Sequence, residues 1–442
     1  MLVTLLGVNS NKTTLAGTTK YTYDVLGQLV QENNHIYTYD RAGNRTSVQA
    51  GDRREIYHYD RGRLTTRTVE RAQDPAGKTY TYRYDVQGNT LGDGENTYLY
   101  DCLNRIAEVQ TKAGDIQKNH YDAEGLRSQM EENGKLVSFV YADREVITEE
   151  DEAGAHIRYI RGHELLASDS AHARTYYHYA CDEMGSITDI TDCHGTVLNH
   201  YAYDAFGNRT VEEETVENRF GFAGEILDAV TGQYYLRARF YNPVIARFLS
   251  EDTYYGDGLN LYAYCHNNPV GYVDPSGHYR LICDKKYGEL KQKEADGGKL
   301  SIKEQLQIYR YEEHQKKQQG NKTRPETQRK KWKEYTGVDP TGEIHHGLPE
   351  EFSQWFSQRG IDVNSGEYYY DLPKDKHRKK EGNGIHTNNS GLTDSAGNPS
   401  NWNAVWADYI QDHPDASRQQ ILAKLKEMEK ATNIGQYRAK KG

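Results

Sequence analysis

Residues 37–45 read YTYDRAGNR, and this stretch decides the fold. Side chains two residues apart lie on the same face of a strand, so the two tyrosine rings share one face. Asp40 ends the strand, and Gly43 with Asn44 supplies the positive φ angles of a tight turn. The stretch therefore predicts one strand, one turn and the start of a second strand.

The same phrase, Tyr-x-Tyr-Asp or a close variant, occurs seven times between residues 20 and 210. Its Tyr-Asp steps lie at 23–24, 39–40, 59–60, 84–85, 100–101, 121–122 and 203–204. A single hairpin cannot bury its own face, so consecutive hairpins must join into a continuous sheet. The 37 tyrosines, against 8 phenylalanines, suit such a sheet because Tyr buries its ring while its hydroxyl stays hydrogen-bonded. The predicted fold class is mainly β.

Residues 219–277 are more specific than the repeats. They contain, in order, RFGFAG at 219–224, YYLRARFYNP at 234–243, RFLSED at 247–252, NLYAY at 260–264, NNPV at 267–270 and DPSG at 274–277. Together with the repeats, these phrases resemble the Rhs/YD-repeat (WapA-like) polymorphic toxins. The resemblance implies a cocoon-like β-shell of spiralling antiparallel hairpins over residues 1–218 and an Rhs-associated core over 219–278.

The resemblance also implies that the core ends in an aspartyl autoprotease. Asp252 and Asp274 would be its carboxylate pair, Arg239 would assist, and cleavage would follow His278, a position where the family has Leu. Two carboxylates suit this chemistry because an ionised one activates water while a protonated one polarises the scissile carbonyl. The alternative is that both aspartates only cap turns, since Asp-Pro and Asp before Gly are turn signals.

After Gly277 the repeat stops and the composition becomes basic. Residues 279–442 carry a net charge of +5, whereas residues 1–278 carry −15. A basic region fits an anionic target and an acidic region fits a container that repels it, although ordinary solubility charge is the alternative. Residues 279–340 are predicted to form a charged helical linker, in which SIKE at 301–304 is a capping box that opens a helix to about Gln318.

The histidines of residues 341–442 are the candidate chemical groups of the remaining sequence. His345 and His346 are adjacent, so on a strand they point to opposite faces, and one can bind metal while the other reaches a substrate water. His377 and His386 follow 31 and 40 residues after His346, within reach of a folded-back helix. Three imidazoles with open water positions suit a catalytic divalent metal site, and a metal beside a further imidazole suits phosphodiester hydrolysis.

This segment resembles the HNH, or His-Me finger, nucleases of the endonuclease VII superfamily, in particular the small double-histidine toxin nucleases. The resemblance implies a small α+β, helix-rich nuclease domain over 341–442, with His346 as the general base. It implies Mg²⁺, Zn²⁺, Mn²⁺ or Ni²⁺ bound by His345, His377 and His386. Colicin-type relatives space the last two ligands by one helical turn, whereas nine positions separate His377 from His386 here. The alternative is that the histidine pair only decorates a surface.

A basic run lies beside the proposed ligands. It consists of Lys374, Lys376, Arg378, Lys379 and Lys380. These side chains would contact phosphates without reading sequence, with DNA favoured over RNA as the substrate, and a solvated helix face is the alternative. Asn364 is a candidate for the middle, loop-orienting Asn of the HNH motif.

The resemblance as a whole implies a toxin of interbacterial competition. Its shell would enclose its own C-terminal domain, the producer would make a cognate immunity protein, and the toxin would be secreted or presented at the cell surface and delivered into the target cytoplasm. The sequence predicts no signal peptide and no membrane span. The alternative function is a YD-repeat surface-binding or adhesion protein without nuclease activity. A deaminase or protease cargo is disfavoured because the sequence has no Cys-x-x-Cys and no His-Glu-x-x-His.

Overall fold

The computed structural model divides the chain into two compact units, Met1–Lys286 and Tyr287–Gly442. Strands dominate the first unit, whereas the second combines helices with short hairpins. The described residues are 6–14, 17–162, 164–170, 175–253, 260–296, 298, 300–318, 324–349, 352–377, 384–386, 390–394, 397–413 and 415–441.

The first unit contains two long antiparallel sheets in which every strand pairs with its neighbours in sequence. The eight strands of the first sheet are β1 Leu6–Thr14, β2 Gly17–Asp24, β3 Leu29–Glu32, β4 His35–Tyr39, β5 Arg45–Ala50, β6 Arg53–Asp60, β7 Arg63–Arg71 and β8 Asp74–Thr81. The mainly-β prediction and the succession of antiparallel hairpins are confirmed.

The second sheet has fourteen strands in strict sequence order. They are β9 Arg83–Tyr84, β10 Thr90–Gly92, β11 Asn96–Tyr100, β12 Ile106–Thr111, β13 Ile116–Tyr121, β14 Arg127–Glu132, β15 Lys135–Ala142, β16 Glu145–Asp151, β17 His156–Arg161, β18 Leu165–Ser170, β19 Thr175–Cys181, β20 Ile187–Thr191, β21 Val197–Tyr203 and β22 Arg209–Glu213.

After six of the seven Tyr-Asp steps, the turn is built around the aspartate carboxylate. Asp40 Oδ1 accepts hydrogen bonds from the backbone of Ala42 and Asn44 at 2.9 and 2.8 Å, while Gly43 takes a φ of +76°. The expectation that Asn44 shares the positive φ is wrong, because Asn44 is absent from the described residues with positive φ. Its side-chain amide instead donates to Asp40 Oδ2 at 2.9 Å. The asparagine after the glycine therefore supplies a hydrogen-bond donor to the second oxygen of the Asp40 carboxylate.

The two tyrosines of a repeat have different hydroxyl partners. In four repeats the hydroxyl of the first donates to a carboxylate, as Tyr37 does to Glu32 at 3.0 Å. In several repeats the hydroxyl of the second donates to a backbone carbonyl, as Tyr39 does to Leu29 at 2.8 Å. The second arrangement recurs in Tyr59, Tyr121, Tyr141 and Tyr203. Phe could fill the same space but would leave these acceptors unsatisfied, which accounts for the dominance of Tyr.

Residues 219–282 pack against the tyrosine faces of both sheets. They contain β23 Ile226–Asp228, β24 Gln233–Leu236, β25 Arg239–Asn242, β26 Arg247–Phe248, β27 Tyr272–Val273 and β28 Leu281–Ile282. Phe220 and Phe240 join the core of the second sheet, and Arg247 donates to Asn44 Oδ1 in the first sheet at 2.9 Å. This segment therefore links the two sheets.

The second unit has its own apolar core, formed around Trp402, Trp406 and Phe356. Its strands are β29 Glu343–His346, β30 Tyr369–Leu372, β31 Leu392–Thr393 and β32 Pro399–Ser400. The helices, from the end of the first unit onward, are α1 Asp284–Ala295, α2 Ile302–Gln318, α3 Arg324–Thr336, α4 Ser353–Ser357, α5 Lys374–His377, α6 Trp402–Asp412 and α7 Arg418–Thr432. Among the described residues, no helix combines the length and apolar character needed to cross a membrane.

The predicted capping box of α2 is confirmed. Ser301 Oγ accepts from the backbone of Glu304 at 3.3 Å, and the Glu304 carboxylate accepts from the backbone of Ser301 at 2.7 Å. The helix is described over Ile302–Gln318, and the residues that follow, 319–323, lie outside the described residues. The next helix, α3, packs Trp332 against Ile344 of β29, so the region predicted to be a linker contributes to the core beside the histidine strand.

Candidate functional site

The adjacent histidines lie on β29, which pairs with β30 in an antiparallel hairpin. His345 lies opposite Tyr370, and His346 lies opposite Tyr369. Because side chains alternate along a strand, the two imidazoles point to opposite faces of the hairpin. The His346 ring packs against the Tyr369 ring, with centroids 4.5 Å apart.

Three histidines converge on the other face. His345, His377 and His386 each offer a ring nitrogen, and these nitrogens lie within 4.8 Å of one another. The ring centroids are 5.5 Å apart for His345–His377, 5.1 Å for His345–His386 and 4.9 Å for His377–His386. The nine-residue separation of the last two therefore does not keep them apart in space.

The environment of this cluster favours a neutral imidazole at His345. Burial lowers the pKa of His345 well below its ordinary value, and the neighbouring His386, His377 and His346 lower it further. A neutral imidazole has the lone pair that a metal ion requires. His345 Nε2 is buried and has no hydrogen-bond partner among the described residues, so the donor set fits a divalent ion. His386 is exposed, which leaves one side of the cluster open.

Glu343 is a residue of the site that the sequence analysis missed. Its Oε2 lies 2.6 Å from His377 Nδ1, so it fixes the ring orientation and directs Nε2 away from the carboxylate. Carboxylates commonly hold metal-binding histidines in this way. The signal was present in the sequence, because Glu343 precedes His345 by two positions and therefore shares its face of β29.

The predicted phosphate-binding run is only partly described. Arg378, Lys379 and Lys380 lie outside the described residues. Lys374 and Lys376 belong to α5, directly before His377.

Asn364, the candidate for the middle Asn of the HNH motif, hydrogen-bonds to α3 and within its own loop. Its Oδ1 accepts from Lys331 Nζ of α3 at 3.0 Å, and its backbone donates to Asp362 Oδ1 at 2.9 Å. Asn364 therefore connects its own loop to α3.

A second cluster surrounds Arg239 in the first unit. Its Nη2 lies 2.7 Å from Asp252 Oδ2 and 3.8 Å from Asp274 Oδ2, and its Nε donates to the Gly277 carbonyl. All three charged side chains are buried. The structure thus brings together the three residues that the family resemblance implied for self-cleavage.

Asp274 and Asp252 make different contacts around the implied cleavage point. Asp274 Oδ1 accepts from the backbone of Ser276, Gly277 and His278 at 3.1, 2.9 and 3.2 Å. Asp252 Oδ1 lies 2.8 Å from His278 Nδ1. Oδ1 of Asp274 thus caps a turn, which is the alternative role considered for both aspartates. Asp252 instead contacts the imidazole of His278 and the guanidinium of Arg239.

Residues 5–270 match the family described as Teneurin YD-shell. The match covers more than half of the chain, and the chain belongs to this family. Residues 271–442, which include the histidine cluster, lie beyond the matched range.

Several curated proteins are similar to this chain. The tRNA3(Ser)-specific nuclease WapA of Bacillus spizizenii is 34% identical over 280 residues, covering 58% of this chain and 12% of the relative. Double-stranded DNA deaminase toxin A of Burkholderia cenocepacia is 28% identical over 304 residues, covering 60% of this chain and 21% of the relative. The chain thus spans only a small part of the relatives it matches.

Among solved structures, the Tc holotoxin pore of Photorhabdus luminescens is similar, with 17% identity, a TM-score of 0.45, and coverage of 60% of this chain and 17% of that chain.

Proposed function

We propose that this chain is part of a polymorphic toxin and carries a metal-dependent nuclease domain of the HNH type. The convergence of His345, His377 and His386 supports the metal site. The names of the relatives, among them a tRNA nuclease and a DNA deaminase toxin, support nucleic acid as the substrate.

A divalent ion in this cluster would stabilise the charge that develops on the phosphate and the leaving oxygen. His345, His377 and His386 would hold that ion, and Glu343 would keep His377 oriented. His346 lies outside the cluster, on the opposite face of β29, and would have the separate role of accepting a proton from the attacking water. Lys374, Lys376 and the basic residues after His377 would bind phosphates.

The proposal is tested with the full chain, plasmid DNA and total RNA, and with Mg²⁺, Mn²⁺, Zn²⁺ or Ni²⁺. We expect cleavage of nucleic acid that chelation abolishes and that His345→Ala and His346→Ala each reduce at least about a hundredfold. His413→Ala is the matched control, because His413 is exposed at the end of α6 and stacks on Tyr409. Equal activity in all three variants would contradict the proposal, and an adhesion protein would then be the better description.

We propose further that the first unit cleaves its own chain after His278. Asp252 would take the proton of a water that attacks the His278 carbonyl carbon, while Asp274 would protonate the departing Tyr279 nitrogen as the C–N bond breaks. Arg239 would hold both carboxylates in place, and its contacts with them support this assignment.

Intact mass after purification tests self-cleavage. We expect two fragments that meet at residue 278 from the wild-type chain and one full-length species from Asp274→Asn. Asp192→Asn is the control for turn capping, because Asp192 Oδ1 accepts from the backbone of His194 and Thr196, both at 2.8 Å, far from Arg239 in sequence. A full-length wild-type species would contradict the proposal.

The toxin proposal also includes delivery into a target cell, enclosure of the C-terminal domain by the shell, and an immunity protein in the producer. These three points stay predictions that rest on the family resemblance. Co-purification of the full chain with the product of an adjacent gene is the direct measurement for the immunity protein. A product that binds the wild-type chain and blocks its cleavage of nucleic acid is the expected result.

A further inference from the structure

The three metal-site histidines lie on three separate segments of the second unit. His345 is on β29, His377 belongs to α5, and His386 lies in the described segment 384–386. An imidazole nitrogen that binds a metal ion is no longer available for a hydrogen bond, so these segments need contacts other than those of the metal-binding nitrogens to stay in register. The alignment of the cluster therefore depends on residues outside it.

Trp402, the first residue of α6, contacts two of these segments. Its indole Nε1 donates to the Gly347 carbonyl at 3.1 Å, directly after the histidine pair. Its backbone N–H donates to the Ile385 carbonyl at 2.9 Å, directly before His386. Its ring meets the His345 ring edge to face, with centroids 5.3 Å apart and planes at 86°.

The third segment is joined through the same loop. The Ile385 N–H donates to the Lys376 carbonyl at 3.0 Å, one residue before His377. A continuous set of hydrogen bonds thus runs from β29 through Trp402 and Ile385 to α5. Trp402 is fully buried, at 0% exposure, so these bonds are protected from exchange with water.

Gly347 makes this arrangement possible. A Cβ at Gly347 would lie 2.5 Å from the Tyr370 ring, so only glycine allows the strand to pass so close. The Gly347 carbonyl also accepts from Trp406 Nε1 at 3.1 Å, so two indoles occupy its two lone pairs. Trp406 is equally buried but makes neither the contact with His345 nor the bond to Ile385.

We infer that Trp402 is a positioning residue of the metal site, and that its indole N–H sets the distance between His345 and His386. This inference rests on the proposed metal site. Trp402 and Trp406 both belong to α6, and both donate to the Gly347 carbonyl at 3.1 Å. The inference predicts that only Trp402 controls the affinity for metal.

Zn²⁺ titration calorimetry on the full chain tests the inference. His345→Ala first identifies which of the observed Zn²⁺ sites belongs to the cluster. At that site we expect Trp402→Phe to weaken Zn²⁺ binding at least about tenfold, whereas Trp406→Phe changes it less than about twofold. Both variants remove one hydrogen bond to Gly347 and one part of a buried ring, so both are expected to lower the melting temperature.

A second variant separates packing from hydrogen bonding. Benzothienylalanine at position 402 keeps the shape of the indole and replaces its N–H by sulfur, so it tests the donor even where Trp402→Phe does not fold. Unchanged Zn²⁺ affinity in this variant, or equal losses in Trp402→Phe and Trp406→Phe, would overturn the inference and leave the metal site standing. Zn²⁺ binding that His345→Ala does not alter would instead overturn the metal site itself.

Discussion

Glu343 and His345 lie two residues apart on β29, and this spacing places a carboxylate behind the imidazole of His377. An anionic acceptor on Nδ1 fixes the tautomer that presents Nε2 to a metal and increases the basicity of that nitrogen. At the scale of single residues, the candidate metal centre therefore includes a fourth functional side chain that is not itself a ligand.

The first prediction concerns this carboxylate. Glu343→Gln is expected to weaken Zn²⁺ binding about 10- to 100-fold, because an amide is a poorer acceptor for the His377 N–H than a carboxylate. Calorimetry on the full chain measures the change. Glu334→Gln on α3 is the control, since this exposed glutamate reaches only Lys330, at 4.0 Å, among its described ion-pair partners. A loss of equal size in both variants would contradict the assignment.

The second prediction concerns His278. Its imidazole engages Asp252 Oδ1 while Arg239 engages Oδ2, so both oxygens of the proposed base already have partners. His278→Leu leaves Oδ1 for water, and we expect faster self-cleavage, followed as the appearance of the two fragments over time. His278→Gln keeps a donor and is expected to cleave no faster than the wild type. A Leu variant as slow as the wild type would show that this contact does not limit cleavage.

The third prediction compares two glycines of the first unit. Gly277 and Gly232 have φ angles of +72° and +67°, but a Cβ at Gly277 would lie 2.4 Å from the Leu236 carbonyl oxygen, whereas nothing lies within 4 Å of one at Gly232. Gly232→Ala should cost about 1 kcal/mol for backbone strain. Gly277→Ala should cost about 1–3 kcal/mol more because of the crowding. Thermal unfolding measures both, and equal costs would contradict the crowding.

At the scale of elements, the strands and turns of the repeats were predictable because their signals are local. The period of two places both tyrosines on one face, and Asp and Gly specify the turn within five residues. The bond from the Asn44 amide to the Asp40 carboxylate was not predicted, because Gly-Asn equally fits a turn with two positive φ angles. The histidine cluster was predicted from order and resemblance, whereas the return of His386 depends on tertiary bonds such as Ile385 to Lys376.

Glu32, at the end of β3, contacts the turn after β21, which lies far from it in sequence. Both Oε atoms of Glu32 accept from the backbone of Ala205, at 2.9 and 3.1 Å, in the turn after β21. Burial, together with the charge of Asp204, raises the pKa of Glu32 from 4.5 to about 7. The folded state therefore binds this proton more tightly than the unfolded chain does.

The fourth prediction follows from the sign of that shift. Between about pH 4.5 and 7 the folded state holds more protons, so stability from this group falls as the pH rises, by about 3 kcal/mol in total. Glu32→Gln should reduce this slope and raise the melting temperature of the first unit at pH 8. The exposed Glu124, changed to Gln, is the control. A wild-type slope in Glu32→Gln would contradict the prediction.

At the scale of the whole molecule, each unit has an apolar core of its own. The largest cluster of the first unit includes Tyr98, Phe139 and Ile190, and that of the second includes Trp402, Trp406 and Leu425. Units with separate cores can unfold as separate cooperative transitions.

The fifth prediction is therefore a calorimetric scan with two transitions that respond to different agents. Zn²⁺ at about a hundred times its dissociation constant should stabilise the second unit by about 2.7 kcal/mol and leave the transition of the first unit in place. A change from pH 5 to pH 8 should lower the temperature of the first unit's transition through the deprotonation of Glu32. His345→Ala, which lacks a proposed ligand, is the control for the Zn²⁺ shift. A single transition that moves with both agents would contradict independent units.

The strict sequence order of the strands has a consequence for how the chain folds. Each strand needs only the strand before it, so the sheets can grow hairpin by hairpin as the chain emerges, with little loop-closure entropy at each step. The contacts of Arg247 with Asn44 and of Asn267 with Gly43 join residues more than 200 positions apart. Because Arg247 and Asn267 follow the last strand of both sheets in the chain, we expect these contacts to form after the strands have paired. Folding of the first unit should therefore be a rapid propagation followed by one slower closure, and the residues around Asp252 and Asp274 come together only in that last step.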